Sequence, residues 1–211
     1  MTPPYLKRAL PGLADNEDTR IIADEINRLE RIVKDFLRFA RPSEPALATL
    51  ALAPVLREVQ GLLKGQLERA GIQLPVELGS PAFVQADAQQ VKQVLINLIQ
   101  NAADAIGRQG QVKLLLRRDT AELDGSTRSV AIVSVIDNGC GIPPAIEARL
   151  FDPFFTTKEG GTGLGLAIAA RIVEKHGGML RYETEEGRGT TFEIVLPQVE
   201  QYATETIADR G

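Results

Sequence analysis

Three short stretches of this chain hold residue types whose spacing suits chemistry. The first is NLIQNAAD, in which Asn97, Asn101 and Asp104 fall at i, i+4 and i+7 and so line one face of a helix. Two amides and a carboxylate in a row are costly if buried without partners. They read either as a solvated polar face or as an oxygen-rich row suited to Mg²⁺ and phosphate, because magnesium prefers oxygen ligands and takes few of them from protein. The second is SVAIVSVIDNGCGI (129–142), where a β-branched run ends in Asp137 and Gly139 and Gly141 follow. A carboxylate at the end of a buried strand can accept a hydrogen bond from the amino group of a flat ligand, and glycines let the backbone come close to it. Taken alone, the pattern also fits a plain strand-end turn.

The third stretch, FDPFFTTKEGGTGLGLAIAARIVEKHGG (151–178), is the most specific. Three Phe within five residues predict a compact apolar anchor. Gly160, Gly161, Gly163 and Gly165 then lead into a helix. Free N–H groups and the positive dipole end at a helix start suit phosphate, and Lys158 can add charge neutralisation. No GK[ST] occurs, so this is not a Walker loop, and GTGLGLA misses the dinucleotide pattern. Glycines flanked by Phe fit a mobile lid, or a hinge that binds nothing.

These residues need elements to hold them. The helix carrying Asn97 is predicted over Asp87–Ile106, with Asp87 and Gln90 resembling a capping box and Val91, Val94, Leu95, Leu98 and Ile99 as the buried stripe. Around it the patterning predicts a helix over 53–70, strands near 72–78, 83–86, 111–118 and 130–136, a short helix at 143–149 and a helix over 163–176. A hairpin over 179–196 turns on Glu186-Gly187-Arg188-Gly189. Strands alternating with helices and closing in a hairpin predict an α+β fold, a two-layer sandwich with helices on one face of a mixed sheet. Ahead of it, Ile22, Ile26, Leu29, Val33, Phe36 and Ala40 are spaced 4-3-4-3-4 along residues 19–41. That a/d seam, widened by Ile21, Ile32 and Leu37, belongs to a helix bundle, with Asp15 or Asp18 as cap and Pro42 as stop. YLKRAL (5–10) reads as the tail of a helix and LADNED as a loop. RPSEPALATLAL (41–52) reads as a hinge or an edge strand, and 198–211 as a frayed polar tail.

Composition narrows the class. The chain has 211 residues, 24 Lys and Arg against 28 Asp and Glu, and a formal charge of −4. With no basic cluster, nucleic acid is a poor partner. One cysteine, Cys140, excludes an intrachain disulfide, and one histidine, His176, excludes a histidine metal cluster. No apolar run reaches the roughly 18–20 residues of a membrane span, and the first residues lack a signal-peptide core, so a cytoplasmic chain is expected.

In order and separation, NLIQNAADAI, DNGCGI, FDPFF and GTGLGLAI resemble the N, first-glycine, F and second-glycine boxes of sensor histidine kinases, and the lid style resembles their nitrogen-regulation subgroup. Their ATP-binding domain has the Bergerat fold, shared with gyrase, the ninety-kilodalton heat-shock chaperone and the mismatch-repair ATPases. EINRLERIVKDFLRFARP (25–42) resembles the second helix of their dimerisation and histidine-phosphotransfer domain. The resemblance implies a domain plan: 1–41, the end of a first helix, a loop and a second helix; 42–52, a hinge; 53–197, the ATP-binding domain; 198–211, a tail.

It also implies ATP and Mg²⁺, with Asn101 as metal ligand and Asn97 near the phosphates. Asp137 would take the adenine amino group, with Gly139 and Gly141 beside the purine and Thr190 near it. Lys158, Gly161, Thr162, Gly163, Leu164 and Gly165 would form the lid and phosphate loop. Asp104 stands where many kinases carry a Lys or Arg. The hydrolytic members place a Glu four residues before the metal-binding Asn; here that position is Asn97, and an amide cannot act as a general base. Phosphoryl transfer to a histidine, relayed to a response-regulator aspartate, is therefore expected over hydrolysis. The acceptor histidine is expected on a helix ahead of residue 19, yet no histidine precedes His176. His176, in EKHGG, suits a helix end rather than an acceptor. The chain thus reads as a C-terminal piece of a kinase whose membrane attachment, if any, lies upstream. Expected partners are the histidine-bearing helix, a receiver domain and a second copy through 19–41. The remaining readings are a nucleotide-binding interaction module without kinase activity and a hydrolase of the same fold.

Overall fold

A computed structural model describes residues 17–40, 43–123, 125–158 and 161–199. The expected helix end at 5–10, Asp15, Pro42, Gly160 and the tail from 200 lie outside the described residues. The described residues form two compact units, one of those up to Ser43 with Phe151–Ile168, the other of Glu44–Leu150 with those from Ala169 onward. Among them, no helix is long and apolar enough to cross a membrane.

In the first unit, α1 (Glu17–Ala40) is the helix that the seam predicts. Along that seam Ile22, Leu29, Val33 and Phe36 are 47–55 % exposed. Ile21 and Leu37 beside it are exposed as well.

The second unit holds the sandwich. β1 (Ala48–Ala51) pairs antiparallel with β4 (Phe83–Ala86), so the edge-strand reading of 41–52 holds for residues 48–51. α2 (Leu52–Arg69) buries Leu52, Val55, Leu56, Val59, Leu63 and Leu67, one helical stripe. α3 (Ala88–Ile106) buries Val91, Val94, Leu95, Leu98, Ile99 and Ala102. Both pack on one face of a sheet that also contains β2 (Ile72–Gln73), β3 (Val76–Leu78), β5 (Gly110–Leu123), β6 (Ser126–Asp137), β7 (Met179–Glu185) and β8 (Gly189–Pro197). Its order is β2-β5-β6-β8-β7, with β3 also on β5. β2 and β3 run parallel to β5 and the remaining pairs are antiparallel.

Three details differ from the sequence expectations. The strand near 72–78 breaks at Leu74-Pro75, since proline has no N–H for a ladder; its carbonyl instead accepts from Leu114 N at 2.9 Å. β5 and β6 extend well beyond 118 and below 130, because their far end brings Leu123 into a buried cluster with Val130, Ile132 and Val195 on the face away from α3. Residues 198 and 199 are tied in rather than frayed: Gln198 N donates to Ser129 O and Val199 N to Phe83 O, both at 2.9 Å.

The start of α3 sets where its polar face lies. Asp87 is the N-cap, its Oδ1 accepting from Gln89 N (2.9 Å) and Gln90 N (3.2 Å). Its Oδ2 accepts from Ala46 N at 3.0 Å, tying down the segment before β1. The N–H of Asp87 donates to His176 Nε2 (3.0 Å), while His176 Nδ1 lies 2.7 Å from Ile172 O. With Nε2 accepting from Asp87, Nδ1 is the ring nitrogen placed to donate to Ile172 O. After the short α4 (Pro144–Glu147) comes α5 (Gly165–Lys175), and His176 is a buried brace at its end, as its place in EKHGG suggested.

The N–H of Ala46 foremost, against burial and with help from Gln90 and Gln89, holds the Asp87 carboxyl below its ordinary value. A lowered carboxyl adds stability above its unfolded pKa and loses it as pH falls through the folded one. Asp87→Ala should therefore destabilise the protein by about 1–2 kcal/mol near neutrality. In urea unfolding, the gap between wild type and variant should close on acidification; a gap independent of pH would discount the carboxylate.

Candidate functional site

Asp137 ends β6, the central strand of the sheet, and is only 8 % exposed. Its Oδ1 accepts from Gly139 N at 2.8 Å and from Thr190 N at 3.2 Å. Oδ2 accepts from none of the described residues. Burial raises the Asp137 carboxyl above its ordinary value, and these two N–H bonds only partly oppose that. An unspent oxygen on a buried, fixed carboxylate is a strong acceptor for a ligand donor.

Backbone packs tightly around it. A Cβ on Gly141 would lie 2.3 Å from Glu185 O, and one on Gly189 would lie 2.1 Å from Asp137 O; both residues have positive φ. Gly139 N is held by Asp137, and the next residue, Cys140, donates its N–H to Ala105 O at 3.2 Å. Ala105 follows Asn97 and Asn101 at i+8 and i+4. The glycine loop therefore docks on α3 along the line that carries the two amides. Asn97 and Asn101 are half-buried, and Asp104 is exposed. On the far side, Thr190 is buried, with its Oγ1 3.0 Å from Thr184 Oγ1.

The first unit holds the glycine-rich segment. Phe154 N donates to Gly163 O at 3.0 Å, and Gly161 N donates to Lys158 O at 3.1 Å. Lys158 is exposed, and its own N–H donates to Thr156 Oγ1. Thr162 Oγ1 accepts from Leu164 N at 3.3 Å, and Leu164, fully buried, accepts from Ile168 N in the first turn of α5. Gly165 opens that helix. The three phenylalanines are not one buried anchor. Phe154, at φ 68°, is 57 % exposed, and its ring lies 6.4 Å from those of Phe36 and Phe39 on α1.

Asn97, Asn101, Asp137, Gly139, Gly141 and Thr190 thus fall in one unit, where Asp137 gathers Gly139 and Thr190 directly. Lys158, Gly161, Thr162, Gly163 and Leu164 fall in the other, with Gly165. Sequence reading left Thr184 out and took Gly189 only as part of the hairpin turn. Gly189 carried a signal, as the second glycine of a GxG turn immediately before Thr190; Thr184 carried only its place in an alternating strand. The donor set fits a magnesium nucleotide: amide oxygens suit a hard cation, and the free Asp137 oxygen suits an amino group.

The family described as "Histidine kinase-, DNA gyrase B-, and HSP90-like ATPase" matches residues 86–200. The sensor histidine kinase ZraS of Salmonella typhimurium is 35 % identical over 196 residues, covering 92 % of this chain and 41 % of that protein. Among solved structures, the histidine kinase ThkA in complex with the response regulator protein TrrA superposes with a TM-score of 0.70 at 31 % identity, covering 92 % of this chain and 56 % of that one. Full-length ShkA in complex with AMPPNP gives 0.71 at 30 % identity, covering 86 % and 38 %. The chain spans about two fifths of the length of the curated relative, and its sandwich is the Bergerat fold of these proteins.

The charge on Asp137 has opposite effects on ligand and fold. A carboxyl raised on folding favours the folded state at low pH, and that contribution is lost as pH rises through its folded pKa. Asp137→Asn keeps an oxygen for Gly139 and Thr190 but puts a donor where Oδ2 was. It should weaken ATP binding roughly tenfold to a hundredfold in calorimetry. The thermal midpoint of the free protein at neutral pH should be unchanged or higher. A large loss of stability with unaltered affinity would make Asp137 a structural residue only.

Proposed function

The chain belongs to the histidine kinase-, DNA gyrase B- and HSP90-like ATPases, and we propose that it is the nucleotide-binding catalytic part of a sensor histidine kinase. The observation that carries this reading is the buried Asp137 carboxylate, fixed through one oxygen with the other left for a ligand. In this reading Asp137 accepts from the adenine amino group, with Gly139, Gly141 and Thr190 around the base. Asn101 ligates Mg²⁺ and Asn97 faces phosphate. Lys158 and the segment Gly161, Thr162, Gly163, Leu164 and Gly165 serve the phosphates, and Asp104 lies at the margin of the polar row. Magnesium, when bound, neutralises phosphate charge. The chain's own residues bind, orient and desolvate.

The absence of a carboxylate at position 97 supports phosphoryl transfer to a separate acceptor, because no general base stands one turn before Asn101. His176 is a poor acceptor: it is buried, and both ring nitrogens are engaged. The transfer then needs a histidine on another helix, and the natural candidate is a helix pairing with α1. The matched kinase ThkA forms a complex with a response regulator, which supports a receiver domain as the onward partner of this chain. Residues 1–41 would belong to the dimerisation region, 42–52 to the hinge, 53–197 to the catalytic domain and 198–211 to the tail, in a cytoplasmic part of the parent kinase.

With labelled ATP and Mg²⁺, this chain alone should gain no acid-labile, base-stable phosphate, whereas a homologous helix bearing the acceptor histidine should be labelled in trans. Asn101→Ala should abolish that labelling and weaken Mg²⁺-dependent nucleotide binding by at least about tenfold. Phosphate on His176 would overturn the scheme.

The exposed seam of α1 should also drive association of the free chain. Sedimentation should show concentration-dependent self-association, abolished in the double variant Leu29→Glu, Val33→Glu. A wild type that stays monomeric at high concentration would remove α1 as a self-pairing surface.

A further inference from the structure

One hydroxyl behind the pocket has three partners. Thr184 Oγ1 lies 2.9 Å from Ile142 N, 3.2 Å from Gly189 O and 3.0 Å from Thr190 Oγ1. Ile142 follows the glycine loop, Gly189 opens β8, and Thr190 donates its N–H to Asp137. A threonine hydroxyl has one proton and two lone pairs. The Ile142 N–H can only donate and the Gly189 carbonyl can only accept. All three contacts are satisfied together in one arrangement alone. Thr184 accepts from Ile142, gives its proton to Gly189 O, and accepts the proton of Thr190.

We propose that Thr184 is a positioning residue that commits the Thr190 hydroxyl proton inward and so makes Thr190 a pure acceptor toward a bound base. Asp137 is an acceptor too. The two side chains then present an edge with no side-chain donor, complementary to a base that carries an amino group and mismatched to one that carries a carbonyl there. Thr184 thereby sets the preference for amino-purine over oxo-purine nucleotides without touching the ligand. Through Ile142 and Gly189 the same hydroxyl ties the glycine loop to the β7–β8 turn, a joint that Gly187 N reinforces by donating to Cys140 O at 2.7 Å.

The inference rests on the adenine-nucleotide reading of this pocket, and the experiment separates the two. Affinities for ATP and for inosine triphosphate, each with Mg²⁺, are measured by calorimetry for wild type, Thr184→Val and Thr184→Ser. Wild type should prefer ATP. Thr184→Val frees the Thr190 hydroxyl to donate, and the preference should shrink roughly threefold to tenfold, about one hydrogen bond's worth. Thr184→Ser should restore it. In a Thr190→Val background, Thr184→Val should leave the preference where Thr190→Val alone puts it, since the first residue acts through the second. An equal loss of affinity for both nucleotides, with the preference intact, would overturn the proposal and leave Thr184 a structural tie. If wild type bound neither nucleotide, the function proposed above would fall, and this inference with it. Should Thr184→Val not fold, Thr190→Val alone must lower the preference; an unchanged preference there overturns the proposal equally.

Discussion

The carboxylate of Asp137 is the constraint on which the rest of the site depends. It stands at the end of the central strand, buried, where a charge is expensive. Two backbone N–H groups on one oxygen recover part of that cost, and they come from opposite sides: Gly139 just downstream and Thr190 some fifty residues on. The same pair of bonds therefore registers the glycine loop and the start of β8 on β6. Backbone can come that close only where no Cβ intervenes, which is why Gly141 and Gly189 stand where they do. A fully compensated carboxylate would be more stable and less useful, since the second oxygen would already be spent.

The parts of this arrangement that were legible in sequence are those with a short-range physical signature. α3 shows an acidic cap, a 3–4 apolar stripe and a polar row, and each reports on residues within two turns of itself. The glycine loops are legible for the same reason. Pairings between distant strands leave a fainter trace. DTAELDGSTRS (119–129) falls outside the predicted strands because its hairpin exposes most of its side chains, and the lone Leu123 becomes meaningful only when it reaches Val130, Ile132 and Val195. Thr184 is a further case. On an edge strand that alternates exposed and half-buried residues, one more threonine carries no signal, and its importance lies in three partners from two segments distant in sequence or across a turn. The Phe cluster at 151–155 misled in the other direction, since aromatic composition predicts burial while Phe154 sits exposed in a left-handed turn.

His176 shows how the polar framework reaches beyond the pocket. Its ring accepts the one N–H of Asp87 that no helical carbonyl can serve, while Asp87 itself serves Ala46, Gln89 and Gln90. Three chain segments meet there: the approach to β1, the start of α3, and the last turn of α5 with its C-terminal cap. A polar network of this kind, with its bonds running between distant segments, is satisfied in only one register. It fixes the rotation of α3 about its axis, and that rotation determines which way Asn97, Asn101 and Ala105, the point at which the glycine loop docks, face.

The choice of amide over carboxylate at position 97 is then a chemical decision made on a rigid frame. A Glu there would stand one turn from Asn101 on the same helical face and could serve as a general base toward water. Asn97 keeps an amide oxygen for contacts but cannot take a proton from water. In the proposed function such a site would spare the terminal phosphoryl group until an acceptor with its own nucleophile arrives. An imidazole needs no general base to attack, because its unprotonated nitrogen already carries the lone pair. In the proposed function the missing carboxylate and the incoming histidine would then be two halves of one mechanism: an amide at position 97 would suppress transfer to solvent, and selectivity for a protein acceptor would follow from what this position omits.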